Sequence, residues 1–303
     1  MSNLAVREAR HRNSYGADNG PIGSNNRHSP NRRSVGAEIR GIDLGSEVSN
    51  DTFSQIRQAF LDYSVIFFRD QNLSPEQHIA FAERWGKINI NRFFKALEKY
   101  PEIAEVRKEP EQERNIGRVW HTDHSYDQIP AMAWILYAKE VPPVGGDTLF
   151  ASMYAAYDGL SPGLQQTLEG LSAVHSSRHV FGKDRNEGKA DNRIGKPDQA
   201  KQDALHPTVI RHPSTGRKAL YVNGNFTIGI EGWTGEESKP LLEHLYAHAA
   251  NPDYTCRFRW AKGSIAMWDN RVTWHRALND YPGQLRSMHR ITLEGVALSG
   301  VTG

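Results

Sequence analysis

The run Trp120-His121-Thr122-Asp123 constrains this chain more than any other stretch. On an extended strand successive side chains point to opposite faces, so His121 and Asp123 share one face while Thr122 looks away. That spacing lets an imidazole and a carboxylate grip one metal ion. Two ligands leave an ion under-coordinated, so the fold must bring a third from far along the chain, and His275 is the candidate. Two histidines and a carboxylate on one side of an ion leave the opposite positions open, as in non-haem iron(II) oxygenases. Metal hydrolases use the same ligand types with zinc. In a chain with 13 histidines a His-x-Asp pair also arises by chance, so the remaining sequence has to decide.

The pattern of elements points to a mostly β protein with flanking helices, of the α+β class. Gly36 to Ile39 alternates like a strand, and Val65-Ile66-Phe67-Phe68 reads as a buried one. Between them Asn50 or Asp51 is placed to cap a helix with Phe53, Ile56, Phe60 and Leu61 on one face. Ser74-Pro75-Glu76-Gln77 is a capping box with proline at the first helical position, followed by Ile79, Ala82 and Trp85 on one stripe. Ala131 to Tyr137 is apolar enough for a central strand. Ser161-Pro162 and Thr234-Gly235-Glu236-Glu237 open two further helices, and His212 to Gly216 has the composition of a hairpin turn. Arg257 to Trp260, Ser264 to Trp268 and Arg290 to Leu293 read as closing strands. Short strands between Gly and Pro turns, with helices outside, argue a β-sandwich or jelly roll.

Residues 1–34 are polar and lack apolar periodicity, which predicts a disordered arm, leaving 35–303 as a single domain. From Ser176 to Asp203 the chain is charged and almost free of apolar residues after Phe181, as expected of a loop that covers the site like a lid. With 37 basic residues interspersed among 35 acidic ones, no overall field recommends nucleic acid or membrane as a partner. The single cysteine, Cys256, excludes an internal disulfide and a thiolate zinc site and suits a reducing compartment. No signal sequence or membrane span is legible, so the expectation is a cytoplasmic protein, with homo-oligomerisation left open.

Four motifs occur in order: Trp-His-Thr-Asp at 120–123, Gly145-Gly146-Asp147-Thr148, Trp268-Asp269-Asn270-Arg271, and His275. In these the chain resembles the taurine and aryloxyalkanoate dioxygenase family of iron(II)/2-oxoglutarate enzymes, over roughly Val35 to Gly295. The resemblance implies a double-stranded β-helix whose iron(II) is held by His121, Asp123 and His275. It implies 2-oxoglutarate as cosubstrate, its far carboxylate held by Arg286 and supported by Thr148, with dioxygen as oxidant. A bidentate guanidinium suits that carboxylate better than a lysine. It further implies that Arg290 grips an anionic group of the substrate, with the backbone N–H of His124 meeting the same anion. Because related halogenases lack a carboxylate at the position of Asp123, hydroxylation is the expected outcome, with succinate and carbon dioxide as co-products.

The chain also departs from the family pattern. Asn91 and Gly117 fall where taurine-oxidising members place a histidine and an asparagine, so the taurine contact set is incomplete. Lys95 to Glu102, Ser152-Met153-Tyr154 and Val174-His175-Ser176 look more like aryloxyalkanoate-oxidising relatives. The substrate class expected is a small sulfonate, alkyl sulfate or aryloxyalkanoate. Asn89, Asn91, Arg92, Phe93, Tyr126 and Trp274 are the candidate pocket walls. A zinc hydrolase and a non-catalytic jelly roll binding a small anion are the alternatives, and neither gives Arg286 and Thr148 a cosubstrate to hold.

Overall fold

The computed structural model describes residues 5–8, 35–182, 198, 200 and 203–301. In chain order, β1 (Ala5–Glu8) and β2 (Ala37–Arg40) precede α1 (Asn50–Tyr63), β3 (Val65–Phe68) and α2 (Pro75–Glu83). The short β4 (Ile88–Asn89) and β5 (Ala96–Leu97) lead to β6 (Tyr100–Lys108), β7 (Ala133–Glu140) and β8 (Thr148–Ser152). Next come α3 (Met153–Asp158), α4 (Pro162–Glu169), β9 (Ser172–Ser176), α5 (Arg178–Phe181), β10 (Asp203–Pro207), β11 (Val209–Arg211), β12 (Lys218–Leu220) and β13 (Thr227–Ile230). The chain closes with α6 (Gly235–Ala249), β14 (Thr255–Phe258), β15 (Ile265–Asp269), β16 (Thr273–Ala277) and β17 (Arg286–Leu293).

One large sheet runs β1-β2-β3-β15-β7-β17-β6-β5, with β4 also on β17. Its pairs are antiparallel except β2 with β3. A second sheet, β14-β8-β16, faces it. Strand β7 shows how the sequence produces this. Its residues are buried on both faces from Ala133 to Ala138, so Ile135 and Tyr137 enter the core under α1 and α2. Trp134, Leu136 and Ala138 enter a second core between the sheets, with Phe67, Phe150, Phe258 and Trp268. The Phe67 and Phe258 rings stack there at 4.1 Å. A third core lies beyond β8 and β16, where α3, and α6 through Leu242 and Leu245, cover Trp274 and Leu220. Two facing sheets with helices outside are the jelly-roll arrangement expected from the sequence.

Capping decides the helix starts. Ser74 and Thr234 both form full capping boxes. Helix α1 is capped by Ser49, whose side chain accepts from the Thr52 N–H, one or two residues before the caps expected. On α2 the buried residues are His78, Phe81 and Ala82, while Ile79 and Trp85 are half-buried.

Two boundaries differ from expectation. Ala5–Glu8, placed in the arm by its polar surroundings, forms an edge strand antiparallel to β2, with Val6 opposite Ile39. Its side chains are all exposed, so backbone pairing holds it and hydropathy carried no signal. The rest of the arm, 9–34, lies outside the described residues. At the expected covering loop, Ser176 pairs with Asp203 across β9 and β10, so the two ends meet. Arg178–Phe181 is a helical turn rather than irregular chain; residues 183–197, 199 and 201–202 lie outside the described residues. No helix among the described residues is long and apolar enough to cross a membrane.

Candidate active site

His121 and His275 form an isolated antiparallel bridge. Each donates its backbone N–H to the other's carbonyl, at 3.2 and 2.9 Å. Residues opposed in this way carry their side chains on the same face, and the two rings lie 4.1 Å apart. The strand-like run ends there. At Asp123 the chain already turns, and His124 has φ of 56° in the left-handed region. Asp123 still faces the histidines, with Oδ1 at 3.5 Å from His121 Nε2 and Oδ2 at 3.6 Å from His275 Nε2. One ligand atom from each of the three residues lies within 4.8 Å of the others.

The donor set fits a divalent ion. His121 Nδ1 lies 2.8 Å from the Val119 carbonyl, a contact that orients the ring with Nε2 on the Asp123 side. Burial, then the charges of His121 and Arg290, push His275 down to about 3 despite Asp123, so its ring is neutral at physiological pH. Burial raises the Asp123 carboxyl, but the His121 hydrogen bond and the positive charge bordering it, Arg290 included, outweigh this and set Asp123 well below the usual carboxylate range. Asp123 Oδ2 is buried and has no hydrogen-bond partner among the described residues. A buried carboxylate oxygen without a partner, facing two imidazole nitrogens, is the condition a metal ion relieves.

The triad sits in a cavity of about 380 Å³ that Thr148, Arg286 and Arg290 also line. Arg286 and Arg290 share a face of β17 because four residues on a strand is two periods. Both are buried, and both leave Nε and Nη2 without a hydrogen-bond partner among the described residues. Burial pushes Arg290 down to about 10 against the charges of Asp123 and Tyr126, so it stays protonated at neutral pH. Its guanidinium packs on the rings of Trp134 and Phe94, at 3.8 and 4.1 Å from their centroids. Thr148 Oγ1 accepts from Trp260 Nε1 at 2.9 Å, which leaves its own O–H to donate. Two buried cations with unused N–H groups in a concave site are a receptor for anions.

Seven residues expected at the substrate, Asn89, Asn91, Arg92, Phe93, His124, Tyr126 and Trp274, lie outside the cavity lining; Asn89 is taken up in pairing with Thr292 on β17 and Arg92 in an ion pair with Asp127. Trp274 neighbours His275 on β16, so its side chain leaves the opposite face and enters the third core, with Nε1 donating to Val222 O at 2.9 Å. Phe93 stacks on Phe181 at 4.5 Å, in a small core with Tyr126 and Phe226. Asn91 caps a turn, its Oδ1 accepting from the Phe93 and Phe94 N–H groups at 2.9 and 3.0 Å. His124 is held by Asp127, with Nδ1 at 3.1 Å from Oδ2, and by Asn91 on its other nitrogen. The left-handed turn, rather than an extended chain, is what carries it away. The apolar wall is instead formed by Phe94, Leu136, Val180, Phe181 and Phe226. Leu136 was findable only from pairing, since it stands opposite Arg290 across β7 and β17. Gly117 also lines the cavity, with φ of 80°, and a Cβ there would lie 3.4 Å from His121 Cε1. The missing side chain at 117 therefore opens space beside a metal-facing ring.

Residues 25–292 match the family model described as taurine catabolism dioxygenase TauD, TfdA family. An alkylsulfatase of Acinetobacter baylyi is 36% identical over 274 residues, covering 89% of this chain and 85% of its own. The alpha-ketoglutarate-dependent 2,4-dichlorophenoxyacetate dioxygenase of Cupriavidus pinatubonensis is 34% identical over 276 residues, covering 84% of this chain and 93% of its own. Among solved structures, a taurine dioxygenase from Burkholderia xenovorans superposes with a TM-score of 0.76 at 35% identity, covering 89% of this chain and 91% of that one.

Proposed function

Because the chain belongs to the taurine catabolism dioxygenase TauD, TfdA family, it is an iron(II)- and 2-oxoglutarate-dependent dioxygenase, and we propose the part that each residue plays. His121, Asp123 and His275 hold the metal. Arg286 and the Thr148 hydroxyl hold the far carboxylate of 2-oxoglutarate, and Arg290 holds the anionic group of a small organic substrate. Iron(II) bound there supplies oxygen activation coupled to the decarboxylation of 2-oxoglutarate to succinate and carbon dioxide.

The observation that carries this reading is the convergence of the three ligand atoms and the two buried arginines on one cavity. Its charge can be followed residue by residue. Arg286 and Arg290 bring two positive charges, Asp123 one negative, and a ferrous ion two more positive, which leaves three positive in a buried volume. The 2-oxoglutarate dianion reduces this to one, and a monoanionic substrate closes it. Sulfonate, alkyl sulfate and aryloxyalkanoate all meet that requirement, and the Phe94, Val180 and Phe226 wall accepts an apolar body. Arg290 orients the anion, and the body then lies along the aromatic wall with one carbon presented to the metal side. Hydroxylation of a carbon bearing sulfur or oxygen gives an unstable product that collapses to a carbonyl compound, releasing sulfite, sulfate or a phenol.

A zinc hydrolase on the same triad leaves Arg286 and Thr148 without a role. The buried single Cys256 suits a reducing cytoplasm, which we include in the proposal, along with one catalytic domain over 35–303 to whose large sheet β1 adds an edge strand. The test is succinate formation by anaerobically iron-loaded protein given 2-oxoglutarate and oxygen, against a panel of sulfonates, alkyl sulfates and aryloxyalkanoates. Stimulation by one class identifies the substrate group. A protein that fails to bind iron and 2-oxoglutarate together contradicts the assignment.

A further inference from the structure

Asp123 is the one member of the triad that lies in a turn rather than in a backbone bridge, so something other than strand pairing must fix where its carboxylate points. The Asn270 side chain occupies that place. Its Oδ1 accepts from the Asp123 backbone N–H at 3.1 Å, and its Nδ2 donates to the Asp123 carbonyl at 2.6 Å. The second Nδ2 proton goes to Ala131 O at 3.2 Å. Asn270 is fully buried, so these bonds form in a low-dielectric setting where a broken one is costly. A side-chain amide is chemically a peptide group. Here it supplies Asp123 with the donor and acceptor pair that a neighbouring strand would give, at the point where the chain leaves the sheet.

Thr122 fastens the same junction from the other side, its hydroxyl lying 3.0 Å from Asn270 O and 2.8 Å from Thr273 O. The Asn270 backbone N–H is bonded to Met132 O at 2.9 Å, so the amide projects from a fixed base. The neighbouring side chain has a different job. Asp269 turns to Arg271 and His212, at 2.6 and 2.9 Å, and makes no contact with Asp123.

We infer that Asn270 is a positioning residue for the metal-ligating carboxylate: its amide fixes the Asp123 backbone and thereby the direction in which the carboxylate meets the ion. The inference rests on the assignment of His121, Asp123 and His275 as metal ligands. The amide supplies one acceptor for the Asp123 N–H and two donors for the Asp123 and Ala131 carbonyls, a combination a carboxylate lacks. An aspartate here sets a carboxylate oxygen against the Asp123 and Ala131 carbonyls, and an alanine removes all three bonds.

The experiment is a titration of the metal-free full chain with Co(II), followed by visible absorption, with thermal melts of each variant alongside. Wild type is expected to bind one Co(II), and Asp123→Ala to lose it; failure of that first step overturns the metal assignment itself. Asn270→Ala is expected to fold and to bind Co(II) about 10- to 100-fold more weakly, the range typical of partners that orient a metal ligand, with altered band intensities. Asn270→Asp is expected to do the same and carries the test if the alanine variant does not fold. His212→Gln disturbs the adjacent Asp269 pairing and is expected to lower the melting temperature while leaving Co(II) affinity and spectrum unchanged. Folded Asn270 variants with wild-type affinity and spectrum, or His212→Gln with the same metal defect, overturn the proposal while leaving the metal assignment intact.

Discussion

Nη1 of Arg290 stands 3.8 Å from Oδ2 of Asp123, so the cation assigned to the substrate and a carboxylate assigned to the metal border the same small volume. An anion held by this arginine is thereby placed against the metal site, whatever the rest of the molecule looks like.

Arg290→Ala is accordingly expected to abolish substrate-stimulated succinate formation. Loss of a buried charge-assisted contact costs roughly 2–5 kcal/mol, which lowers kcat/KM by at least about thirtyfold. Affinity for 2-oxoglutarate should stay within a factor of two or so. Steady-state kinetics with the best substrate of the panel checks both halves, and full activity in this variant contradicts the anion-clamp role.

Arg286→Ala should show the reverse pattern. The cosubstrate loses its only assigned cation, so its KM rises by about 30-fold or more, and Arg286→Lys recovers only part of this because an ammonium cannot match the bidentate fork. An unchanged 2-oxoglutarate affinity sinks the assignment.

Phe94 touches Arg290 and lines the cavity. Removing its ring takes one aromatic contact from the guanidinium, worth about 1 kcal/mol. Phe94→Ala should raise the substrate KM by about fivefold with little change in kcat, whereas Phe93→Ala, fully buried inside the small core that Phe94 only flanks, should lower thermal stability more than it moves KM. Identical kinetic profiles for the two would show the wall to be misplaced.

His78 gives a pH-dependent stability. Neither of its ring nitrogens has a hydrogen-bond partner among the described residues, and burial, then the charges of His289 and Lys139, push it down to about 3. Above the ordinary histidine value near 6.5 the ring is neutral in both folded and unfolded chains and contributes nothing to the pH dependence. As the pH falls below that value only the unfolded chain takes up the proton, so stability is lost through the window down to about 3. His78→Leu removes this loss and should gain about 2 kcal/mol more over wild type at pH 5 than at pH 7. Urea melts at the two pH values measure it; an equal difference at both contradicts the buried neutral state.

The sequence was most informative where chemistry demands a particular residue type. His121, Asp123 and His275 meet in space as their motif suggested, and the capping boxes at Ser74 and Thr234 form as written. It was least informative where a single-residue shift decides the outcome. Phe93 and Phe94 are indistinguishable by type, and only the turn at Asn91 sends one into a side core and the other over Arg290. Trp274 was misplaced although period two on β16, applied from His275, already assigns it to the opposite face. The left-handed His124 ends the extended run that the His-x-Asp spacing predicts, and nothing in the Trp-Asp-Asn-Arg motif itself points from Asn270 to Asp123. Long-range pairings such as Arg290 with Leu136 have no local signature at all.

The bridge between His121 and His275 joins positions roughly half the chain apart. Closing a pair so distant costs more chain entropy than closing a local contact, and the rest of the fold has to offset it. Metal affinity at this centre is therefore a property of the finished topology. Partly folded chains, with one half of the ligand set missing, have little hold on iron, and the native state alone gains the stabilisation that loading provides. On the proposed ligand assignment, a complete metal site exists only once the two halves of the chain have met.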